Sequence, residues 1–291
     1  MIEDLQRRFP HPEIRFYERD QLVMVELANR HGNATLTPFG ATLLSYVPRN
    51  GAEVIWVSET ARYDGAKPVR GGVPVCWPWF GPHPDDAGQK AHGVARYVTW
   101  EVEAVESVDD ATRVVFRLEP DDDIRAAWPG DLRLRLAVTL GQRLTMELSG
   151  ENLSDQDWTV SEALHTYFRV ADARDLEVEG LEGITYVDKV AGGRGVQHGA
   201  LRVKAPMDCV YLDHDGAAIL HDGGRRIHVH KSGSASTVVW NPGPEGARGF
   251  ADMPDEDWVS MVCVEAANAL DNAYTLKAGA SHTLTMTIGV E

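Results

Sequence analysis

The chain has 291 residues, of which 43% are hydrophobic, so it can bury a sizeable core as one large domain or two smaller ones. Its formal net charge of −16 argues against general binding to nucleic acid or to an anionic membrane surface, although a local basic pocket could still attract a small anion. No run of the sequence approaches the roughly 20 apolar residues that a membrane-spanning helix needs.

The first predicted element is a short helix over residues 3–9. The opening stretch MIEDLQRRFP has no apolar core, so it does not resemble a secretory signal. The three cysteines, Cys76, Cys209 and Cys263, are scattered without a CxxC pair or metal-ligand spacing. We therefore expect reduced thiols and a cytoplasmic protein.

Residues 69–82, VRGGVPVCWPWFGP, combine glycine, proline and aromatic residues around Arg70. This segment cannot form a regular strand, because proline lacks an amide donor and glycine loses more entropy on ordering. Aromatic rings beside a kinked loop, here Trp77 and Trp79, are typical of sugar-binding platforms. A buried hydrophobic corner is the alternative interpretation of the same residues.

Residues 89–97, QKAHGVARY, offer Gln89, His92 and Arg96 as candidate substrate ligands. An exposed loop is the alternative. Together with Arg70, however, this segment could provide the local positive charge that a phosphate group needs. Two guanidinium groups suit a phosphate well, because each can bind it through two parallel hydrogen bonds.

Alternating apolar and polar residues predict strands over 98–105, 112–118 and 132–140. In the last of these, LRLRLAVTL, all five apolar positions of the alternation share one face. GQ at 141–142 predicts a two-residue hairpin turn with glycine first, and RLTMELSG continues as the next strand.

Residues 161–170, SEALHTYFRV, predict a strand with a histidine in its middle. On a strand, His165, Tyr167 and Arg169 share one face, and the more apolar residues between them take the other. His165 therefore lies on the polar face, which weakens its interpretation as a core histidine and makes it a candidate proton donor.

Residues 258–268, WVSMVCVEAAN, predict a central strand, because both of its faces are apolar. Glu265 closes this strand. A carboxylate in such a position is costly unless it is paired or functional, and a solvated strand end is the alternative.

The remaining C-terminal elements are strands over 226–230 and 283–288 and a short helix in MPDEDWVSM, residues 253–261. HVH at 228–230 places two histidines on one strand face, but no third ligand has a recognisable spacing, so no metal site is predicted.

Many short strands with turns rich in glycine, asparagine, aspartate and proline predict a sandwich or barrel. The sequence has no long amphipathic helix, no low-complexity linker and no clear internal repeat. We therefore expect one β domain spanning residues 1–291.

Five motifs resemble the aldose 1-epimerase superfamily, and most closely its hexose-6-phosphate mutarotase branch. They occur in the same order as in that family. They are VRGGVPVCWPWFG (69–81), HGVAR (92–96), HTYF (165–168), VVWNP (238–242) and VCVEAAN (262–268).

The resemblance implies a single antiparallel β-supersandwich, a few short helices and no cofactor. It implies that His165 is the general acid and Glu265 the general base of an anomer exchange. The remaining residues are implied as substrate ligands or walls of the site: the second histidine His92, the phosphate ligands Arg70 and Arg96, the acid Asp208, and Trp240 with Asn241.

One departure from the branch follows the WNP motif, where we expect an aromatic and then a basic residue. This sequence continues GPEGAR instead. Arg248 is the candidate for the missing cation, and a more open pocket is the alternative.

The sequence thus predicts a monomeric enzyme that interconverts the anomers of a hexose 6-phosphate, without metal, nucleic acid or membrane. The alternatives are a mutarotase for unphosphorylated aldoses and a non-catalytic carbohydrate-binding protein. A hydrolase or lyase on a similar sandwich is a further rival, but a hydrolase usually needs two carboxylates, and only one convincing carboxylate is present.

Overall fold

The computed structural model describes residues 1–128 and 130–291, and these residues form mainly antiparallel strands with short connections, as the sequence predicts. In chain order, the strands within these residues are β1 Ile14–Arg19, β2 Leu22–Asn29, β3 Gly32–Thr37, β4 Thr42–Pro48, β5 Val75–Cys76, β6 Glu101–Val108, β7 Ala111–Leu118, β8 Leu132–Leu140, β9 Leu144–Asn152, β10 Trp158–Val160, β11 Glu162–Leu164, β12 Tyr167–Arg169, β13 Glu177–Glu179, β14 Thr185–Asp188, β15 Arg194–Val196, β16 Leu201–Arg202, β17 Met207–Tyr211, β18 Ala218–Asp222, β19 Arg225–Ser232, β20 Ser236–Asn241, β21 Met261–Asn268, β22 Tyr274–Leu276 and β23 Ser281–Val290.

Two large sheets dominate the architecture. One has nine strands in the order β16-β13-β18-β19-β23-β9-β8-β7-β6, and the other follows the order β15-β14-β17-β20-β21-β11-β5, with β12 also paired to β21. The first four strands form a sheet of their own, and β10 pairs with β22. Side chains from all three larger sheets, such as Leu27, Leu136 and Val264, meet in one hydrophobic cluster, which is how the alternating pattern buries its apolar face.

The β8–β9 hairpin is confirmed, but its predicted two-residue turn is wrong. Leu140 pairs with Leu144, so three residues, 141–143, connect the strands. Directly opposed residues of an antiparallel pair lie on the same face of the sheet. A two-residue turn would place Arg143 opposite Leu140, whereas the three-residue turn keeps Val138 opposite Met146 and both apolar faces in phase.

The strand predicted at 98–105 corresponds to β6, which begins three residues later, at Glu101. The backbone before it is bonded elsewhere: Trp100 N–H donates to the Pro38 carbonyl, and the Val98 carbonyl accepts from Gly40 N–H. These bonds attach the segment to the loop after β3.

The helices are short. The predicted N-terminal helix is present as α1 (Ile2–Arg8), whereas the helix predicted in MPDEDWVSM is only a 3-10 turn, Asp257–Ser260. Two α-helices were not predicted, α2 (Asp122–Ala127) and α3 (Gly243–Arg248), and further 3-10 turns cover Ala95–Tyr97 and Leu270–Asn272. Within residues 1–128 and 130–291, no helix has both the length and the apolar character required to cross a membrane.

Candidate active site

A cavity of about 270 Å³ collects residues that are far apart in the sequence. A larger cavity of about 550 Å³, lined by Arg202 and Lys204 among others, contains none of the predicted site residues. The smaller cavity is lined by seven of the nine predicted residues, namely Arg70, His92, Arg96, His165, Asp208, Trp240 and Glu265.

His165 lies in a break between two strands, so the continuous strand predicted over residues 161–170 is wrong. β11 ends at Leu164 and β12 begins at Tyr167, and both strands pair with β21. His165 N–H donates to the Pro74 carbonyl at 3.0 Å, which anchors the break to the segment before β5. The imidazole stacks on the Tyr167 ring, with 5.0 Å between the ring centroids, so the two side chains share one side as predicted.

Glu265 lies inside β21, which continues to Asn268, so the prediction that Glu265 closes its strand is wrong. The strand is central, with β20 on one side and β11 and β12 on the other, and the Glu265 side chain is only 1% exposed. Its Oε1 lies 3.5 Å from Nδ1 of His165. The sheet therefore brings together two groups that are 100 positions apart in the sequence.

The charge state of this pair is governed by burial. Desolvation, reinforced by the positive Arg96, holds the pKa of His165 well below its ordinary range. Desolvation also raises the pKa of Glu265 well above its ordinary range, with the negative Asp208 adding to the effect. A neutral imidazole and a protonated carboxyl hold the same number of protons as an imidazolium–carboxylate pair. Both shifts disfavour the charged forms, so burial favours the neutral arrangement over the imidazolium–carboxylate pair.

His92 faces the cavity from a backbone conformation that is uncommon for a residue with a side chain, with φ of 66°. The next residue must be glycine, because a Cβ at Gly93 would lie 2.0 Å from the Trp77 carbonyl oxygen. Nδ1 of His92 accepts the N–H of Gly81 at 3.3 Å. Burial and the nearby cations Arg96 and Lys189 lower the pKa of His92 to about 3. The ring is therefore neutral, and its Nε2–H is the atom left to donate to a ligand.

Three cationic side chains line the cavity. Arg70 lies over the Phe250 ring at 4.2 Å, and its Nε donates to Asp252 at 3.0 Å, so neither contact uses its terminal nitrogens. The buried Nε of Arg96 has no hydrogen-bond partner among residues 1–128 and 130–291. The third cation is Lys189, which lies just after β14.

Lys189 was not predicted from the sequence. Its ammonium donates to the Asp208 carboxylate at 2.8 Å, and its backbone N–H donates to the Asp208 carbonyl at the same distance. A single lysine in the polar segment YVDKVAGGRG carries no local signal. Only the pairing of β14 with β17 brings it to the cavity.

Three other predicted or candidate residues lie outside the cavity lining. Gln89 bonds to the Asp86 carboxylate at 3.4 Å in an exposed loop. Asn241 is fully buried, and its amide donates to the Trp258 and Met261 carbonyls, so it shapes the chain behind the site. Arg248 is exposed at the end of α3, and the aromatic residue expected after the WNP motif is supplied by Phe250.

The tryptophans of the 69–82 segment form the buried corner and not the sugar platform. Trp77 and Trp79 are each only 2% exposed, and both pack near Trp128. Phe80, the residue that follows them, is the aromatic side chain that reaches the cavity. The segment thus contributes one aromatic wall and Arg70 to the site.

The sequence is similar to proteins of one family. The family model described as aldose 1-epimerase matches residues 23–289. A Salmonella typhimurium protein named "Putative glucose-6-phosphate 1-epimerase" is 33% identical over 254 residues, which cover 86% of this chain and 84% of the relative. An Escherichia coli protein of the same name is 32% identical over 267 residues, covering 90% of this chain and 89% of the relative.

Solved structures share the fold. The crystal structure of a "putative mutarotase" from Salmonella typhimurium has a TM-score of 0.89 at 32% identity and covers 96% of this chain and 94% of its own. Galactose 1-epimerase from Lactobacillus acidophilus has a TM-score of 0.73 at 18% identity, with 96% and 98% covered. The predicted galactose mutarotase-like supersandwich is confirmed.

Proposed function

Because the chain belongs to the aldose 1-epimerase family, we propose that it interconverts the α and β anomers of a hexose 6-phosphate of the glucose 6-phosphate type. The observation that carries this proposal is the buried His165–Glu265 pair, 3.5 Å apart, beside a cavity that also presents Arg70, Arg96 and Lys189. The pair fits the ring-opening chemistry, and the cations fit a phosphate group.

Ring opening requires one base and one acid. The Glu265 carboxylate takes the proton of the anomeric hydroxyl while the His165 imidazolium gives a proton to the ring oxygen. The C1–O5 bond breaks and C1 becomes an aldehyde. After rotation about C1–C2, the O5 hydroxyl attacks the other face of the aldehyde, returns its proton to His165, and the new anomeric oxygen takes the proton from Glu265. No proton is gained or lost over the cycle.

Substrate binding and chemistry are linked in this proposal through the protonation of the pair. Burial favours the neutral pair, which is the distribution that follows ring opening and not the one that starts it. Among residues 1–128 and 130–291, His165 Nδ1 and both Glu265 oxygens are buried without a hydrogen-bond partner. A sugar hydroxyl that donates to the carboxylate favours its charged form and moves the proton to His165. The substrate thereby completes the pair that acts on it.

The neutral His92 and the Lys189–Asp208 ion pair have binding roles in this proposal. Nε2–H of His92 donates to a sugar oxygen, since Nδ1 is already bonded to Gly81. Lys189 keeps the Asp208 carboxylate oriented to accept from a sugar hydroxyl. Arg70 and Arg96 hold the phosphate, because a guanidinium fork matches its oxygens. We also propose a cytoplasmic location, because the three thiols are free and buried.

The phosphate assignment is tested by comparing two substrates. We expect Arg70→Ala and Arg96→Ala each to raise KM for glucose 6-phosphate by about tenfold or more, because each removes a charge-assisted hydrogen bond, while KM for glucose changes little. Anomer exchange measured by NMR gives both values. Arg248→Ala, which removes an exposed arginine outside the cavity, is the matched control and should resemble the wild type.

Each alternative function has its own outcome in this experiment. Equal effects of the two substitutions on both sugars would favour a mutarotase for unphosphorylated aldoses. Binding of either sugar without faster anomer exchange would favour a carbohydrate-binding protein.

A further inference from the structure

A third side chain lies beside the His165–Glu265 pair and has no part in the reaction described above. Cys263 precedes Glu265 by two residues on β21, so both side chains lie on the same face of the strand. One ring nitrogen of His165, the sulfur of Cys263 and one carboxylate oxygen of Glu265 all lie within 4.8 Å of one another. Within residues 1–128 and 130–291, no other group of histidine, cysteine and acidic side chains is arranged in this way.

The cluster is buried and polar, yet its atoms lack partners. Cys263 is fully buried, and the exposures of Glu265 and His165 are 1% and 8%. His165 Nδ1 and both oxygens of Glu265 make no hydrogen bond within the described residues. Buried polar atoms without partners are uncommon in proteins, and they indicate a ligand that supplies the missing interactions. The substrate supplies some of them. The Cys263 sulfur, which packs in a hydrophobic cluster with Trp56 and Met261, adds a soft ligand atom beside them.

We propose that His165, Cys263 and Glu265 form a three-ligand site for Zn²⁺, and that zinc bound there inhibits the enzyme. Nitrogen, sulfur and carboxylate oxygen together are a ligand set that suits zinc and excludes the hard cations Mg²⁺ and Ca²⁺. His165 and Glu265 line the substrate cavity, so a water molecule can take the fourth position.

The geometry requires small movements only. A point between three atoms no more than 4.8 Å apart lies within about 2.8 Å of each, and zinc bonds are about 2.0–2.3 Å long. Each ligand atom therefore needs to move by less than about 1 Å. Rotation about side-chain bonds can provide this without moving the central strand.

The charges of the site also permit binding. Zinc binds the thiolate and the carboxylate together with the neutral imidazole, so the protons that the empty cluster holds leave to solvent and two negative charges balance the metal. The loaded cluster is then neutral, and the nearby Arg70, Arg96 and Lys189 do not face an additional net positive charge. Because both proton-transfer groups are bound to the metal, neither can act on a sugar.

Zinc alone is the first probe. After treatment with a chelator, added Zn²⁺ should inhibit anomer exchange, and glucose 6-phosphate should protect against it. In Cys263→Ser we expect the inhibitory zinc concentration to rise by about tenfold or more, with each variant compared with its own zinc-free rate. Cys209→Ser, which changes another buried thiol outside the cluster, is the matched control and should keep wild-type zinc sensitivity.

Cobalt tests the site without relying on activity. Zinc inhibition rests on the proposed function, because it is measured as a loss of anomer exchange. A thiolate-to-cobalt absorption band requires only metal binding, so failure of the metal site and failure of the proposed function can be distinguished. We expect Co²⁺ to give this band with the wild-type protein and with Cys209→Ser, and to lose it with Cys263→Ser. Equal zinc sensitivity of wild type and Cys263→Ser, or a cobalt band that survives Cys263→Ser, would overturn the site.

Discussion

Two carboxylate–imidazole pairs, each with a buried carboxylate, lie in the same part of the molecule and differ in how completely they are hydrogen-bonded. His165 Nδ1 lies 3.5 Å from Glu265, and His282 Nε2 lies 3.3 Å from Glu162. Both carboxylates are 1% exposed. Glu162 begins β11, opposite Asn268 at the end of β21, so the second pair lies only a few residues from the first along the same two strands.

The second pair has the hydrogen bonds that the first lacks. Glu162 accepts from the Asn268 amide at 3.0 Å, and that amide also donates to the Gly233 carbonyl at 2.7 Å. His282 Nε2 donates to the same carbonyl at 2.8 Å. The atoms of the first pair have no such partners in the described part of the chain. Hydrogen bonds to the surrounding protein are typical of a pair with a structural role. Buried polar atoms that lack such bonds indicate a pair that binds a ligand.

The largest expected effect is a loss of activity, which we expect from substitutions in the His165–Glu265 pair and not from those in the second pair. We expect Glu265→Gln and His165→Asn each to slow anomer exchange by about 10²–10⁴-fold, because each removes one proton-transfer group. The free energy of unfolding should change little in Glu265→Gln, since an amide of the same shape replaces a carboxyl that has no hydrogen-bond partner among the described residues. NMR exchange rates and denaturant unfolding measure the two quantities. Near-wild-type exchange in either variant would contradict the assignment.

For the second pair we expect a loss of stability without a loss of activity, which is the reverse of the first prediction. Glu162→Gln removes the charge that His282 and Asn268 share, so we expect the free energy of unfolding to fall by about 1–3 kcal/mol. The rate of anomer exchange per folded molecule should remain near that of wild type, because Glu162 does not line the cavity. Urea unfolding and the same NMR assay test this. A large loss of activity without loss of stability would show that Glu162 acts in catalysis and would end the contrast between the pairs.

Sequence reasoning predicted the fold well because alternation is a strong local signal. The β7, β8, β19 and β23 strands follow their predicted ranges closely. The predictions are wrong where pairing with other parts of the chain determines the local structure. The two examples are the length of the turn after Leu140 and the first residue of β6. That the chain forms one domain over residues 1–291 stays a prediction.

The site was predictable only in part, for a similar reason. His165 and Glu265 have local signals, since each is a polar residue in a segment whose pattern predicts a strand. Lys189 has none, and it reaches the cavity only because β14 pairs with β17. Asn241 has a local signal, because its motif indicates the site, but it does not line the cavity. Its amide donates hydrogen bonds to the backbone carbonyls of Trp258 and Met261 instead.

The smallest expected effect is the contribution of His282, the histidine of the structural pair, to the pH dependence of stability. The hydrogen bond to Glu162 raises the pKa of His282 in the folded protein above its ordinary value of 6.5. The folded state then binds the proton more tightly than the unfolded state. The stabilisation is complete below pH 6.5 and is lost as the pH rises through the folded pKa.

Unfolding measured between about pH 5 and pH 8 should therefore show the difference in stability between wild type and His282→Gln shrinking as the pH rises. The effect should be small, because the His282 side chain is 28% exposed and water screens its charge. The same comparison in a Glu162→Gln background should show a much smaller decline with pH, because the group that raises the pKa most is gone. A difference that instead grows with pH, or a decline that is undiminished without Glu162, would mean that His282 is not stabilised by this carboxylate. The two pairs would then differ in their hydrogen bonds but not in their charge.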